Sequence, residues 1–395
     1  MTCGHSYCPI FSKVTQFKSQ RLDKDNFVGT APSVFVGRYN YPNLNVGILA
    51  PPDKVQEDAE LYDAPRQWNA RQFGVQDVLS FRGALINSHF KTHIKTRPRF
   101  LELSQEVAMA EKPVDVEFLL EKKPVYQIKT SDIETVLGAR AELRKAMLQE
   151  NVRIHPSVEK AVSDADLKAA DALQILYKKG LDEALLTRLL SIGNLGVKTQ
   201  RKLVPTRWSI TATDDTIGKH MINEVKQYKE SHYHAYFGGY LGNYFLILMF
   251  PRVWSYELFE MYMPSTLLNQ EKEVKWTTDY EFYEGRKTYA ENCVGGYYSS
   301  RLGVLEKLRD LKRQSAVIVL RFITDEYTAP LGVWVVREAT RNALKHRKDF
   351  ASENELLSYV RTTITQYFNY NADEILRQSK VLRQIRTQRT IKDFL

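Results

Sequence analysis

The chain has 395 residues, 43% of them hydrophobic and 26% charged, enough to bury a sizeable core across two subdomains and too apolar for wholesale disorder. No run approaches the roughly twenty apolar residues of a membrane span, no charged-then-apolar leader opens the chain, and three cysteines cannot frame a disulfide scaffold. A soluble protein in a reducing cytoplasmic setting, with no membrane partner, is expected; the formal charge of +9 favours polyanionic partners, though mildly.

The chain opens with Cys3, His5 and Cys8 in close succession. Two cysteines five apart with a histidine between them look like half of a zinc knuckle, and a closed site wants four ligands. Cys3, Cys8 and His5 are candidate zinc ligands on that reading, and idle thiols on the other. From Ser33 two aliphatic runs flank a loop rich in Gly, Asn, Tyr and Pro, which is hairpin chemistry. Arg38, Asn43 and Asn45 at its tip are candidates for binding phosphate or a sugar; asparagine also tolerates left-handed backbone, so a purely structural loop remains the alternative.

Helical spacing follows over Gly74 to Ile86, then His89, Lys91, His93, Lys95, Arg97 and Arg99. Extended backbone puts the alternating cations of that stretch on one face. They make either a stripe for a phosphate backbone or a charge-protected edge strand. Pro98 to Ala110 and Asp132 to Asn151 read as helices, Val114 to Leu120 and Val125 to Ile128 as strands, and His155 to Leu190 as a helical hairpin.

The most site-like internal stretch runs from Val204 to Lys219. Trp208, Ile210 and Ala212 alternate with Arg207, Ser209, Thr211 and Thr213, which predicts a strand with a polar face. Thr213 or Asp214 then caps a following helix. Such a corner gathers helix N–H groups and hydroxyls, so Arg207, Ser209, Thr211, Thr213, Asp214 and Asp215 are candidate ligand or catalytic groups. The alternative is an arginine–aspartate pair with ordinary capping. His232 and His234 share a strand face and, with Asp214, Asp215 or Glu257, have a weak metal-site pattern. Gly242 to Phe250 and Val253 to Tyr262 predict neighbouring antiparallel strands. The Gly295-Gly296 pair opens a helix that carries Arg301 as a further candidate for the same cleft. Strands at Ala316 to Phe322 and Leu331 to Val336 and helices at Glu338 to Lys348, Glu353 to Phe368 and from Asp373 complete the pattern.

Between Arg377 and Lys392 six basic residues occur with no carboxylate, a solvated or DNA-touching lead-in to the tail. In the last eight residues Gln388 is followed by Ile391, Phe394 and Leu395, a spacing that puts the three apolar side chains on one face of a single 3₁₀ turn. This is the spacing of the box by which replication and repair proteins dock on the sliding clamp, PCNA; Leu395 departs from it by filling a slot usually aromatic. The expected class is α+β, mainly antiparallel sheet flanked by helices, with a helical insertion in the N-terminal half and a flexible C-terminal tail. The expected divisions are 1–203, 204–376 and 377–395.

Cys3 to Ile10, Ser33 to Pro52, Val204 to Lys219, Gly295 to Glu306 and the terminal box together resemble the archaeal Nre family over essentially the whole chain. The resemblance implies DNA-damage repair through clamp binding at Gln388, Ile391, Phe394 and Leu395, with DNA met directly or through the clamp. Family members begin with two cysteine pairs in a zinc-finger-like element, of which this sequence keeps only Cys3 and Cys8. The resemblance implies no particular reaction. A nucleotide- or DNA-processing enzyme built on Arg207, Asp214, Asp215 and Arg301, and a non-catalytic DNA-binding scaffold, are the competing expectations.

Overall fold

Leu44, Val46 and Ile48 alternate with Asn43, Asn45 and Gly47, so a strand here sends the first set into a core and the second to the opposite face. The computed structural model describes residues 24–125 and 138–387. They form two compact units, one up to Ile217 with Thr328–Gly332, the other Gly218–Tyr327 with Val333 onward. The first unit holds β1 (Asn26–Ala31), β2 (Ser33–Val36), β3 (Asn43–Ala50), β4 (Ile86–His93), β5 (Val114–Leu120) and β6 (Arg140–Leu148). Their order is β1-β5-β6-β4-β3-β2, antiparallel except for the parallel pair β4 and β6. The helix Arg99–Met109 lays Leu101, Val107 and Ala108 into the core that Val116, Phe118 and Leu143 enter from the sheet.

Two expectations in this unit, at 140–148 and 155–190, are corrected first. Residues 140–148 are rich in helix formers yet form β6. Ala141 and Leu143 point to the core and, past a register shift opposite Leu119 and Leu120, so does Ala146. A central place between two strands outweighs helix propensities of about 0.7 kcal/mol or less per residue. The remainder of that expected helix (132–137) and the expected strand past Val125 lie outside the described residues; Val125 itself bridges Arg140. Three helices, Pro156–Ser163, Ala169–Lys178 and Glu183–Ser191, stand where a hairpin of two was expected. His155 and Asp182 side chains accept hydrogen bonds from the Ser157 and Leu185 amides, at 3.1 and 2.8 Å, and so start the first and last of them.

The second unit holds β7 (Lys229–Glu230), β8 (Tyr233–Tyr240), β9 (Asn243–Phe250), β10 (Ser255–Tyr262), β11 (Lys275–Glu281), β12 (Arg313–Gln314), β13 (Ala316–Ile323) and β14 (Arg347–Phe350). Six of them order as β11-β10-β13-β9-β8-β14, and β7 and β12 pair separately. The expected β9–β10 neighbours are parted by β13, which is antiparallel to β9 and parallel to β10. The four residues between β9 and β10 span about 13 Å extended, enough to step over one strand at roughly 5 Å per position. Both sheets are therefore mixed, and the fold is α+β. Helices Val294–Leu311 and Trp334–Ala343 cover one face; Glu353–Phe368, Ala372–Gln378 and Lys380–Thr387 cover the other. Residues 331–336, expected as a strand, lead into a helix because Val335, Val336, Ala339 and Ala343 bury with helical period. The expected loose segment after Arg377 is helical to Thr387, with Val381, Leu382 and Ile385 buried and Lys380, Arg383 and Arg386 outward. No helix among the described residues is long and apolar enough to cross a membrane.

Candidate nucleic-acid interface

The stretch expected as a strand from Arg207 to Thr213 is the start of the helix Thr206–Val225. The amides of Trp208 and Ser209 both donate to the Pro205 carbonyl, at 2.8 and 2.9 Å. Ser209, Thr213 and Ile217, four residues apart, are buried together. Two of those three are polar, so their helical period does not register as an apolar one. The Thr206 hydroxyl accepts from the Val36 amide at 2.9 Å and lies 3.1 Å from the Ser191 hydroxyl, which fixes the helix start at the end of β2. Arg207 is exposed; Thr211 and Asp215 follow it at four-residue steps along one stripe, while Asp214 is buried.

The loop between β2 and β3 turns beside that helix start. The Gly37 amide donates to the Asn45 carbonyl at 2.8 Å, and the Asn43 amide to Asn40 at 2.7 Å. Arg38 lies over the Tyr39 ring at 5.0 Å and donates to its hydroxyl at 3.1 Å. Tyr41 meets Trp208 with ring centroids 5.6 Å apart and planes 48° apart. The turn after β4 joins them, since the Ile94 amide donates to Pro42 and the Leu203 amide to Ile94, at 3.0 and 3.1 Å. Three segments distant in sequence thus meet at one corner.

That corner exposes Tyr39, Tyr41 and Trp208 by 53, 47 and 48%. The same segments expose Lys91, Lys95, Arg97, Arg99, Lys202 and Arg207; residues 33–52, 86–101 and 184–213 contain no carboxylate, while Arg97 lines a groove with Glu102 and Glu106. Asn43 and Asn45 sit opposite His93 and Lys91 on the β3–β4 ladder. The cationic stretch is not one strand as expected: β4 stops at His93, Lys95 and Arg97 lie beyond it, and Arg99 begins a helix. Burial, then Arg140, holds the His89 imidazole below its ordinary range, so the charge here rests on Lys and Arg at neutral pH. The three rings escape a strand reading, which turns Trp208 toward the core. Aromatics set among cations in segments lacking acids are the signal that finds them.

Arg301 belongs to the second unit. Its guanidinium donates to Glu281 at 2.8 Å and lies 5.6 and 5.3 Å from the Tyr297 and Tyr298 ring centres. Trp254 donates its indole N–H to the other Glu281 oxygen at 3.3 Å. Gly296 lets the helix start close on β10, because a Cβ there would press on the Glu260 carboxylate. His234 is used structurally, buried with Nδ1 2.6 Å from Asp349, whereas His232 is exposed; Glu257 binds helix amides. Burial, then Arg347, holds His234 below its ordinary range despite Asp349. Its contribution to stability is complete above about pH 6.5 and is lost as pH falls through the folded pKa. Melting between pH 7 and 5 is expected to flatten in His234→Gln; an unchanged slope refutes the assignment.

Cys3, His5 and Cys8 and the box residues Gln388, Ile391, Phe394 and Leu395 lie outside the described residues. Among the described residues no three His, Cys, Asp or Glu side chains are placed to hold a metal ion.

Comparison with known proteins bears on the whole chain. The archaeal Nre N-terminal profile matches residues 2–269 and the archaeal Nre C-terminal profile residues 281–394. The chain belongs to the archaeal Nre family. Within Nre proteins it is similar to DNA repair protein NreA of Haloferax volcanii, 36% identical over 93% of this chain and 88% of that one. DNA repair protein NreB of Archaeoglobus fulgidus is 36% identical over 100% of this chain and 98% of its own. NreA of Archaeoglobus fulgidus is 33% identical over 91% and 90%. No solved structure matches this Nre chain.

Proposed function

We propose that this Nre protein is a DNA-repair factor brought to DNA by the sliding clamp through its C-terminal box, and that it meets DNA at the basic, aromatic corner of the first unit. The repair role is supported by full-length similarity to proteins named for DNA repair. The observation that carries the clamp is the spacing of Gln388, Ile391, Phe394 and Leu395. A short apolar peptide that orders on binding gives modest, reversible affinity, on the order of micromolar, which suits recruitment. Zinc held by Cys3, Cys8 and His5 is kept as part of the proposal only if metal analysis of the purified protein finds it.

The test is co-elution of the full chain with PCNA. Ile391→Ala with Phe394→Ala is expected to abolish it while leaving the melting of both units unchanged. Undiminished co-elution overturns the clamp reading.

A further inference from the structure

Phosphate contacts alone do not call for exposed aromatic rings. A duplex presents charge outward and keeps its base faces stacked inside, so a flat ring at a protein surface finds no base face there to cover. Unpaired bases do offer those faces, and each gains from stacking on an aromatic side chain irrespective of its identity. The corner of the first unit has both parts. Tyr41 and Trp208 meet at 5.6 Å but are tilted by 48°, so they make a continuous ledge without stacking on each other. Tyr39, two residues before Tyr41, is also exposed and has Arg38 over its ring. Lys91, Lys95 and Arg207, all exposed, come from the strand, turn and helix beside it.

We propose that this corner is a binding site for single-stranded DNA, in which successive unpaired bases stack on Trp208 and Tyr41 while Lys91, Lys95 and Arg207 neutralise the backbone. The inference rests on the reading of the corner as the place where DNA is met, and narrows it to the unpaired form. The ledge is anchored from behind. Thr206 accepts from Val36, the Ile94 amide donates to Pro42, and Ser209 donates to the Val204 carbonyl at 3.3 Å, so the rings stand on ordered backbone before any base arrives. Stacking tolerates every base, so binding follows strandedness and not sequence.

The probe is a fluorescent 15-nucleotide oligo-dT, titrated with the full chain and followed by anisotropy at two salt concentrations, beside a mixed-sequence duplex and an oligo-U of equal length. The single DNA strand is expected to bind at least about tenfold tighter than the duplex. Trp208→Ala is expected to weaken it roughly 5- to 150-fold with the salt dependence unchanged, and Trp208→Phe to restore most of the loss. Lys95→Gln with Arg207→Gln is expected to lower the slope of log affinity against log salt by about 0.7 for each phosphate no longer neutralised. Exposed side chains are replaced throughout, and equal melting temperatures confirm the fold.

Duplex bound as tightly as the single strand, or Trp208→Ala without effect, overturns the stacking site while leaving DNA binding at the corner in place. Tighter binding of oligo-U assigns the ledge to RNA and overturns the proposal. Failure of every probe overturns the reading of the corner itself.

Discussion

Glu281→Ala is expected to destabilise the second unit by about 3–5 kcal/mol, measured as the shift of its transition in urea. Glu281 and Arg301 are almost wholly withdrawn from water, at 0 and 1% side-chain exposure. The two charges face each other at 2.8 Å, with the Trp254 indole and the two tyrosine rings beside them. Removing the carboxylate takes a buried ion-pair partner from the guanidinium and leaves the indole N–H without its acceptor. Replacing both members at once, Glu281→Leu with Arg301→Met, is expected to recover much of the loss, because apolar side chains of similar size carry no desolvation penalty at a buried ion-pair site. A single variant within about 1 kcal/mol of the parent, or a double variant worse than the single, refutes this account.

The second large effect is expected at Glu257. This residue lies on the core-facing side of β10, between chain neighbours that are fully buried, and its carboxylate receives three donors. The Ser379 hydroxyl donates at 2.5 Å, and the amides of Lys380 and Val381 donate at 3.0 and 3.1 Å. The first turn of the helix Lys380–Thr387 has unmet N–H groups and a partial positive charge, and an anion beneath it satisfies both. Burial still holds the carboxyl above its ordinary range, against the pull of those donors. Glu257→Ala strands the donors at a buried site and is expected to cost about 2–3 kcal/mol, concentrated in the last helix. Limited trypsin digestion reads this locally: cleavage at Lys380, Arg383 and Arg386 is expected to accelerate well before the rest of the unit is cut. Glu257→Gln keeps one accepting oxygen and is expected to fall between. Cleavage at the parent rate in Glu257→Ala refutes the anchoring role.

Much of the architecture was legible wherever one physical rule acted alone. The helices Val75–Ala84, Arg99–Met109 and Glu353–Phe368 and the strands β5, β9 and β13 follow from apolar period and end signals. Errors arose where two rules competed. β6 has helical composition but a strand's neighbours, and the Thr206–Val225 helix has a strand's β-branched composition while burying hydroxyl residues at four-residue intervals. The insertion of β13 between β9 and β10 is a long-range choice that short-range pattern does not encode. At the candidate interface the cations were visible as a run, but their grouping around Tyr41 and Trp208 depends on the meeting of segments about 50 and 160 residues further along the chain than the hairpin, which no local window contains.

The docking of the last helix bears on how a clamp would hold this protein. Val381, Leu382 and Ile385 fasten the chain as far as Thr387, and Ile391 is four residues later. Four residues reach at most about 14 Å. A box seated in its notch would therefore keep the body on a short leash, riding close to the ring instead of sweeping a wide volume around it. Inserting a flexible spacer after Thr387 would lengthen the reach without touching the box itself.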